Sequence, residues 1–258
     1  MTGHVFKLAL GIWVAMVAVV FIHGISFSAI EGSALLSLTA IWITESGGKY
    51  GTLLILLVTC VFFTRFIEGG GKKFVTFILT LVKLIIVIGV FAYLNENLIK
   101  HALKQSRPSH LYVAERSQGE MSLQQLYALD NPGRHELLSK TIEENNALFA
   151  GINPHILSHW TEETGYSFPS GHSFNGFLLA CILSFSLYNS RSKTGRKLYF
   201  LPLIWAASVA ISRVALGAHT AWDVSFGALT GILIAFLLMH FNLLRDNLLH
   251  RKYRGVRG

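Results

Sequence analysis

A histidine and an aspartate stand four residues apart shortly after an arginine, in the order Arg213, His219 and Asp223. On a helix, side chains at this spacing are neighbours on one face. A carboxylate bonded to one ring nitrogen of a histidine fixes the tautomer and leaves the other nitrogen free to attack an electrophile. The spacing indicates an activated nucleophile, although such a pair taken alone is more typical of a helix-stabilising contact at a membrane interface.

The tetrapeptide Pro169-Ser170-Gly171-His172 opens an apolar run. Serine is a favoured N-cap, glycine lets a ligand approach the backbone, and the first amides of a helix have no partner within it. A helix start of this kind binds anions, and His172 in its first turn would face the same anion. A plain capped helix with an interfacial histidine explains these four residues alone equally well.

Two further cations, Lys100 and Arg107, lie seven residues apart, which is two helical turns. They share a face if the preceding helix continues past the membrane surface, and Pro108 is then expected to end that helix. Two cations on one face suit a phosphate, for which arginine supplies a planar bidentate fork. Alone, they are more typical of ordinary interfacial anchors.

The composition is that of a membrane protein. Of the 258 residues 52% are hydrophobic and 14% are charged, and the mean hydropathy is +0.49. A soluble domain is about a quarter charged, so an ordinary soluble domain and a disordered chain are both excluded. The net charge of +8 does not indicate nucleic-acid binding, because the basic residues cluster at the ends of apolar runs.

Apolar runs place the helices that must position these side chains, since a membrane-crossing helix needs about 20 mostly apolar residues. They predict an all-α integral membrane bundle of six transmembrane helices, forming one domain over residues 1–258. The predicted spans are 8–28, 50–66, 74–95, 172–189, 198–214 and 222–241. The polar segment 96–171 is expected to form a helical extramembrane cap. A cleaved signal sequence is the alternative for the first run, since Lys7 precedes it and small residues follow it.

Lysine and arginine also predict the orientation. They are concentrated in 65–73, in 190–197 and in the C-terminal tail, whereas 29–49 and 213–223 each hold one. By the positive-inside rule both termini are cytoplasmic, and segment 96–171 lies on the periplasmic side with the 213–223 turn. All three clusters therefore meet at the same membrane face. There Lys100, Arg107 and Arg213 can bind a phosphate while one histidine attacks and the other donates a proton.

These motifs resemble the three signatures of the phosphatidic acid phosphatase type 2 family. The first is Lys100-x6-Arg107-Pro108, the second Pro169-Ser170-Gly171-His172 and the third Ser212-Arg213-x5-His219-x3-Asp223. The segment from Ser158-His159-Trp160 to Gly165-Tyr166 is similar to the bacterial members that act on phosphatidylglycerophosphate and undecaprenyl diphosphate.

The resemblance implies hydrolysis in two steps without a metal or other cofactor. His219 would attack phosphorus and form a phosphohistidine, with Asp223 orienting it, and His172 would protonate the leaving oxygen and later activate water. The implied phosphate ligands are Lys100, Arg107, Arg213, the Ser170 side chain, and the Gly171 and His172 amides.

The expected function is therefore that of a lipid phosphatase of the bacterial inner membrane. Its expected partners are a lipid phosphate substrate and membrane lipids, with neither nucleic acid nor an obligate protein partner. Phosphatidic acid and lipid A phosphate are alternative substrates, and a lipid-phosphate binder or translocator without turnover is the alternative class. A vanadium-dependent haloperoxidase has a similar anion site, but those enzymes are typically soluble.

Overall fold

The computed structural model describes residues 2–22, 33–65, 69–190 and 193–244, and within them it contains helices and no β-strand. Helix α4 (Gly70–Leu94) continues through a π-helical turn (Asn95–Ile99) into the short α5 (Lys100–Leu103). The other helices are α1 (Thr2–Ile22), α2 (Ala34–Ser46), α3 (Lys49–Thr64), α6 (Pro108–Arg116), α7 (Leu123–Ala128), α8 (Asn131–Glu144), α9 (Asn146–Phe149), α10 (Pro154–Glu162), α11 (Gly171–Tyr188), α12 (Lys193–Lys197), α13 (Leu201–Ala215) and α14 (Ala221–His240).

Helix α11 is the centre of the bundle, packed against α14, α13 and α3. Most of its residues are buried, including an unbroken run from Phe177 to Leu183. Glycines on α14 allow the closest contact: a Cβ at Gly227 would lie 2.4 Å from the Ser170 carbonyl oxygen, and one at Gly231 would lie 2.4 Å from that of Phe174. The backbone at the start of α11 therefore lies directly against α14.

Three helices among the described residues are long and apolar enough to cross a membrane: Gly3–Ile22, Gly70–Leu103 and Ala221–His240. A fourth span results if Ala34–Ser46 and Lys49–Thr64, bent by 51° to one another, are taken as one. The predicted count of six spans is therefore not confirmed, although a helix occupies each predicted position. Leu201–Ala215 is apolar but short, and α11 is a helix of the bundle interior.

Segment 29–49, which separates the first two predicted spans, is helical from Ala34 to Ser46. Ser33 caps α2 by accepting a hydrogen bond from the Leu36 amide, and the helix continues to Ser46. Its sequence mixes serine and threonine with leucine and isoleucine, so no uninterrupted apolar run marks it. Residues 23–32, which include the end of the first predicted span, lie outside the described residues.

The junction before Arg107 also differs from the prediction. The helix that carries Lys100 ends at Leu103, and Lys104 adopts a left-handed conformation with φ of 47°. Arg107 is extended, and Pro108 is the first residue of α6 rather than the stop of the preceding helix. Proline is well suited to this position because a first-turn amide needs no partner within the helix. Lys100 and Arg107 therefore lie on different helices and do not share a face.

Segment 96–171 is helical, as predicted, and has its own small core. Helices α6 to α10 lie within it. The core also includes Leu216, which follows α13, and the fully buried Trp160 donates its indole N–H to the Leu216 carbonyl oxygen at 2.7 Å. Trp160 and Tyr166 are thus packing residues rather than exposed markers of the membrane interface. The core residues are Ala40, Val113, Met121, Leu126, Leu138, Ile142, Phe149, Ile152, Ile156, Trp160, Ala215 and Leu216.

Part of the basic residues used for orientation, Arg191 and the tail 245–258, lies outside the described residues. The orientation and the periplasmic location of the 96–171 segment stay predictions.

Candidate active site

His219 and Asp223 face one another, with His219 Nδ1 3.4 Å from Asp223 Oδ2. His219 lies in the turn before α14, so the pair is not within one helix as the spacing had suggested. Thr220 is the N-cap of α14, and its side chain and that of Asp223 form a reciprocal capping box, in which Oδ2 accepts the Thr220 amide at 2.6 Å. The cap fixes Asp223 behind the imidazole and leaves Nε2 directed toward Arg107.

The turn that carries His219 is folded back over the end of α13. The amides of Ala218 and His219 both donate to the Arg213 carbonyl oxygen, at 3.1 and 3.2 Å. Gly217 has a φ of 69°, a conformation in which glycine has no steric penalty, and its carbonyl oxygen accepts the Ser109 amide at 2.8 Å. The nucleophile candidate is therefore held by backbone bonds from both α13 and α6.

The surroundings of His219 favour its neutral form at physiological pH. Burial lowers its pKa to about 3, and the nearby Arg107 and Arg213 lower it as well, although the bond to Asp223 acts in the opposite direction. A neutral imidazole with its proton on the nitrogen facing Asp223 has a free lone pair on Nε2. This is the protonation state that a nucleophile requires.

The start of α11 is a capped helix N-terminus, as the sequence predicts. Ser170 caps the helix, accepting the Ser173 amide at 3.4 Å, and donates its own amide to the Asp223 carbonyl oxygen at 3.0 Å. A Cβ built on Gly171 would meet no atom within 4 Å, so the backbone there faces open space. His172 follows in the first turn and interacts electrostatically with Arg213 and His219.

Arg107 connects the cap to the nucleophile turn. Its Nε donates to the Gly165 carbonyl oxygen at 2.8 Å, and its NH1 donates to the Ala218 carbonyl oxygen at 2.9 Å and lies 3.4 Å from His219 Nε2. Its NH2 is 2.8 Å from Glu163 Oε2. The side chain is almost fully buried, so these partners fix its position.

Arg213 is fully buried on α13 and reaches the same carboxylate. Its NH2 forms an ion pair with Glu163 Oε1. Its NH1 donates to His159 Nε2 at 2.8 Å and lies 3.5 Å from the Thr44 hydroxyl on α2. Burial and the charge of Arg213 lower the pKa of His159 to about 4, so its imidazole is neutral and can accept this hydrogen bond.

Glu163 is a site residue that sequence reasoning missed. Its two carboxylate oxygens are divided between Arg107 and Arg213, the two arginines predicted to bind phosphate. Burial raises the pKa of the Glu163 carboxyl, but the two guanidinium groups outweigh that effect and hold the pKa well below its usual range. The available signal was general: two buried arginines require a counter-charge, and a carboxylate stands seven residues before Ser170.

Lys100 lies at the edge of the cluster. Its ammonium group pairs with Glu96 Oε1 at 2.5 Å, and a Cβ on Gly165 would lie 3.7 Å from its Nζ. Since the Gly165 carbonyl oxygen binds Arg107, Lys100 lies near a residue that holds this arginine. Among the described residues there is no group of three or more His, Cys, Asp or Glu side chains that could hold a metal ion.

The predicted residues thus converge from separate parts of the chain. His219 and His172 lie in one cluster with Arg107 and Arg213, next to the open backbone at Gly171. Such a cluster can bind a tetrahedral oxyanion and place an imidazole nitrogen against it.

The chain is also similar in sequence to known proteins. Residues 77–246 match the PAP2 superfamily. Phosphatidylglycerophosphatase B of Haemophilus influenzae is 30% identical over 230 residues, which cover 86% of this chain and 89% of that protein. Phosphatidylglycerophosphatase B of Escherichia coli K12 is 27% identical over 210 residues, 81% of this chain and 77% of that protein. The chain belongs to the PAP2 superfamily.

Proposed function

We propose that the protein is an integral membrane lipid phosphatase that removes the terminal phosphate of a lipid phosphate or diphosphate. The observation that carries the proposal is the position of the His219 ring: Nδ1 lies 3.4 Å from Asp223 Oδ2, and Nε2 lies 3.4 Å from Arg107 NH1. Binding alone needs no imidazole with its lone pair directed into a cationic site. The names of the bacterial relatives support the same reaction class.

The proposed reaction has two displacements at phosphorus. His219 Nε2 attacks the terminal phosphorus, and its bond to the leaving oxygen breaks, which is the lipid ester oxygen of a monophosphate or the bridging oxygen of a diphosphate. His172 gives that oxygen a proton. Water then attacks the phosphohistidine with His172 as base, which releases inorganic phosphate and restores His219. Arg107, Arg213, Lys100, the Ser170 hydroxyl and the Gly171 and His172 amides would stabilise the charge that develops on the phosphoryl oxygens.

An apolar cavity supports a substrate with hydrocarbon chains. Its volume is about 410 Å³, and it lies between α1 and α14. One of its lining residues is Trp222, the neighbour of Asp223. Phe226 in its wall contacts Phe168, with ring centroids 5.5 Å apart, immediately before the start of the second motif. The lining residues are Trp13, Val17, Phe21, Trp222, Ser225, Phe226 and Leu229.

The proposed substrates are phosphatidylglycerophosphate and undecaprenyl diphosphate, met at the periplasmic face of a bacterial inner membrane. A lipid phosphate keeps its chains in the bilayer while its headgroup reaches helix ends at that depth. The site would then act on the lipid without extracting it from the membrane.

The test is phosphate release by purified protein in detergent micelles that contain each lipid. We expect His219→Ala to abolish release, since the variant lacks the attacking imidazole, while His155→Ala, which removes an exposed histidine of the cap, keeps wild-type rates. A phosphoryl label that is stable in base and labile in acid should form on the wild-type protein only. Wild-type turnover by His219→Ala would exclude this nucleophile, and binding of lipid without release by the wild type would favour a translocator.

The metal-free mechanism has its own measurement. Orthovanadate should inhibit because it forms the trigonal bipyramidal geometry of the phosphoryl transition state, and chelators should leave the rate unchanged. Activity that depends strictly on added magnesium would contradict the mechanism.

A further inference from the structure

Glu163 has the position and chemistry of an internal substitute for the phosphate. A carboxylate whose two oxygens bind two arginines satisfies the same donors that two oxygens of a phosphate would use. In this protein those donors are the NH2 groups of Arg107 and Arg213. The inference rests on the proposed phosphate site.

The arginines do not depend on Glu163 for their placement. Arg107 is also held by the carbonyl oxygens of Gly165 and Ala218, and Arg213 by His159 and Thr44. These contacts use Nε and NH1 of Arg107 and NH1 of Arg213. Only the NH2 groups are bound by Glu163, so its release would leave both guanidinium groups in position with donors open.

A phosphate and the Glu163 carboxylate compete for this place. Both are anions, both need the same N–H groups, and two like charges within a few ångströms of one another in a buried site repel strongly. Glu163 lies just beyond the end of α10 and its side chain is 21% exposed, whereas that of Arg213 is 0% exposed. The carboxylate can therefore turn toward solvent, while the arginine cannot.

We propose that Glu163 occupies the arginine pair in the substrate-free protein and is displaced when a phosphate binds. The carboxylate offsets part of the charge of two buried arginines until the substrate arrives, and its departure is a cost that each bound phosphate must offset. The apparent affinity for any phosphate is then lowered by the fraction of molecules in which Glu163 holds the site.

The experiment compares orthovanadate binding by Glu163→Gln, Glu162→Gln and the wild type. Titration calorimetry and thermal unfolding in detergent measure the binding. Glu162 is the adjacent exposed carboxylate, so its variant has the same change in net charge away from the site. We expect Glu163→Gln to bind orthovanadate about tenfold more tightly and Glu162→Gln to match the wild type. Without an anion Glu163→Gln should melt at a lower temperature, and saturating orthovanadate should remove that difference.

A carboxylate that merely orients the arginines gives the opposite result. Unchanged or weaker orthovanadate binding by Glu163→Gln would overturn the proposal. If that variant does not fold, Glu163→Asp gives the same comparison, because its carboxylate is one methylene too short to bind both arginines. We expect Glu163→Asp to bind orthovanadate several-fold more tightly than the wild type. Unchanged or weaker binding would overturn the proposal. The readout needs no turnover, so a wild type that binds orthovanadate but hydrolyses no lipid phosphate would refute the proposed function and leave this comparison intact.

Discussion

The guanidinium group of Arg213 contacts three residues from two parts of the fold: His159 on α10, Glu163 at the end of α10, and Thr44 on α2. Lysine has a single ammonium group on a flexible stem and cannot reproduce this fork. We expect Arg213→Lys to lower kcat/KM about a hundredfold, measured as phosphate release. Arg116→Lys, an exposed cap arginine, is the control and should keep the wild-type value. Equal activity of the two variants would contradict a phosphate-binding role for Arg213.

At the residue scale, the sequence was most informative where short spacing and chemistry coincide. His219 and Asp223 could be paired because four residues separate them, and Ser170 to His172 because they open an apolar run. Glu163 could not be found in this way, since 50 residues separate it from Arg213 and only the fold of the cap brings them together. His159 and Thr44 escaped prediction for the same reason.

At the scale of the elements, the contact between α11 and α14 sets the geometry of the site. Gly227 allows α14 to lie against the Ser170 backbone, whose amide donates to the Asp223 carbonyl oxygen. A methyl group at position 227 would meet the Ser170 carbonyl oxygen at 2.4 Å, which is too close for any side chain. The helices would have to separate, and the nucleophile would move away from the anion site.

We therefore expect Gly227→Ala to lose most of its phosphatase activity and to be destabilised by about 1–3 kcal/mol, the usual cost of overpacking. Gly89→Ala on α4 is the matched control, because its Cβ would meet nothing within 4 Å. Both variants gain the same helix propensity, so the difference between them isolates the steric contact. Activity and unfolding temperature of purified protein are the measurements, and equal values for both variants would show that the helices tolerate separation.

The elements themselves were predictable where apolar runs are long and uninterrupted. Helices α1, α4 and α14 follow from such runs. Helix α2 was not predicted because its serine and threonine residues interrupt the apolar pattern. The break at Lys104 was not predicted either, since a left-handed lysine has no sequence signal comparable to glycine.

For the whole molecule, three buried neutral histidines couple stability to pH. The pKa values are lowered to about 3 for His110, about 4 for His159 and about 3 for His219, in each case chiefly by burial. In an unfolded chain the pKa of a histidine is about 6.5. Between pH 6.5 and 4.5 the unfolded state therefore binds protons that the folded state does not, so the folded state loses stability as the pH falls. Protonation of Glu163 reduces the stability of the folded state further only when the pH falls below 4.5, the ordinary pKa of a glutamate.

We expect the free energy of unfolding to decrease by about 2 kcal/mol for each of these histidines between pH 7.5 and pH 5. Thermal unfolding in detergent over this range measures the effect. His110→Gln should reduce the dependence by one histidine's share, while His155→Gln, which removes an exposed histidine, should leave it unchanged. An unfolding temperature that does not vary between pH 7.5 and pH 5 would contradict the lowered pKa values of these histidines.

Two hydrogen bonds tie the cap to the loop that carries His219. Trp160 on α10 donates its indole N–H to the Leu216 carbonyl oxygen, and the Ser109 amide on α6 donates to the Gly217 carbonyl oxygen. A shortened relative that kept every signature residue but lacked residues 123–165 would have lost the Trp160 bond to that loop and the Gly165 carbonyl oxygen that binds Arg107. Its three motifs would still be readable in the sequence, yet the loop and Arg107 would be held less firmly. Motifs alone are therefore a poor guide to activity in such truncated chains.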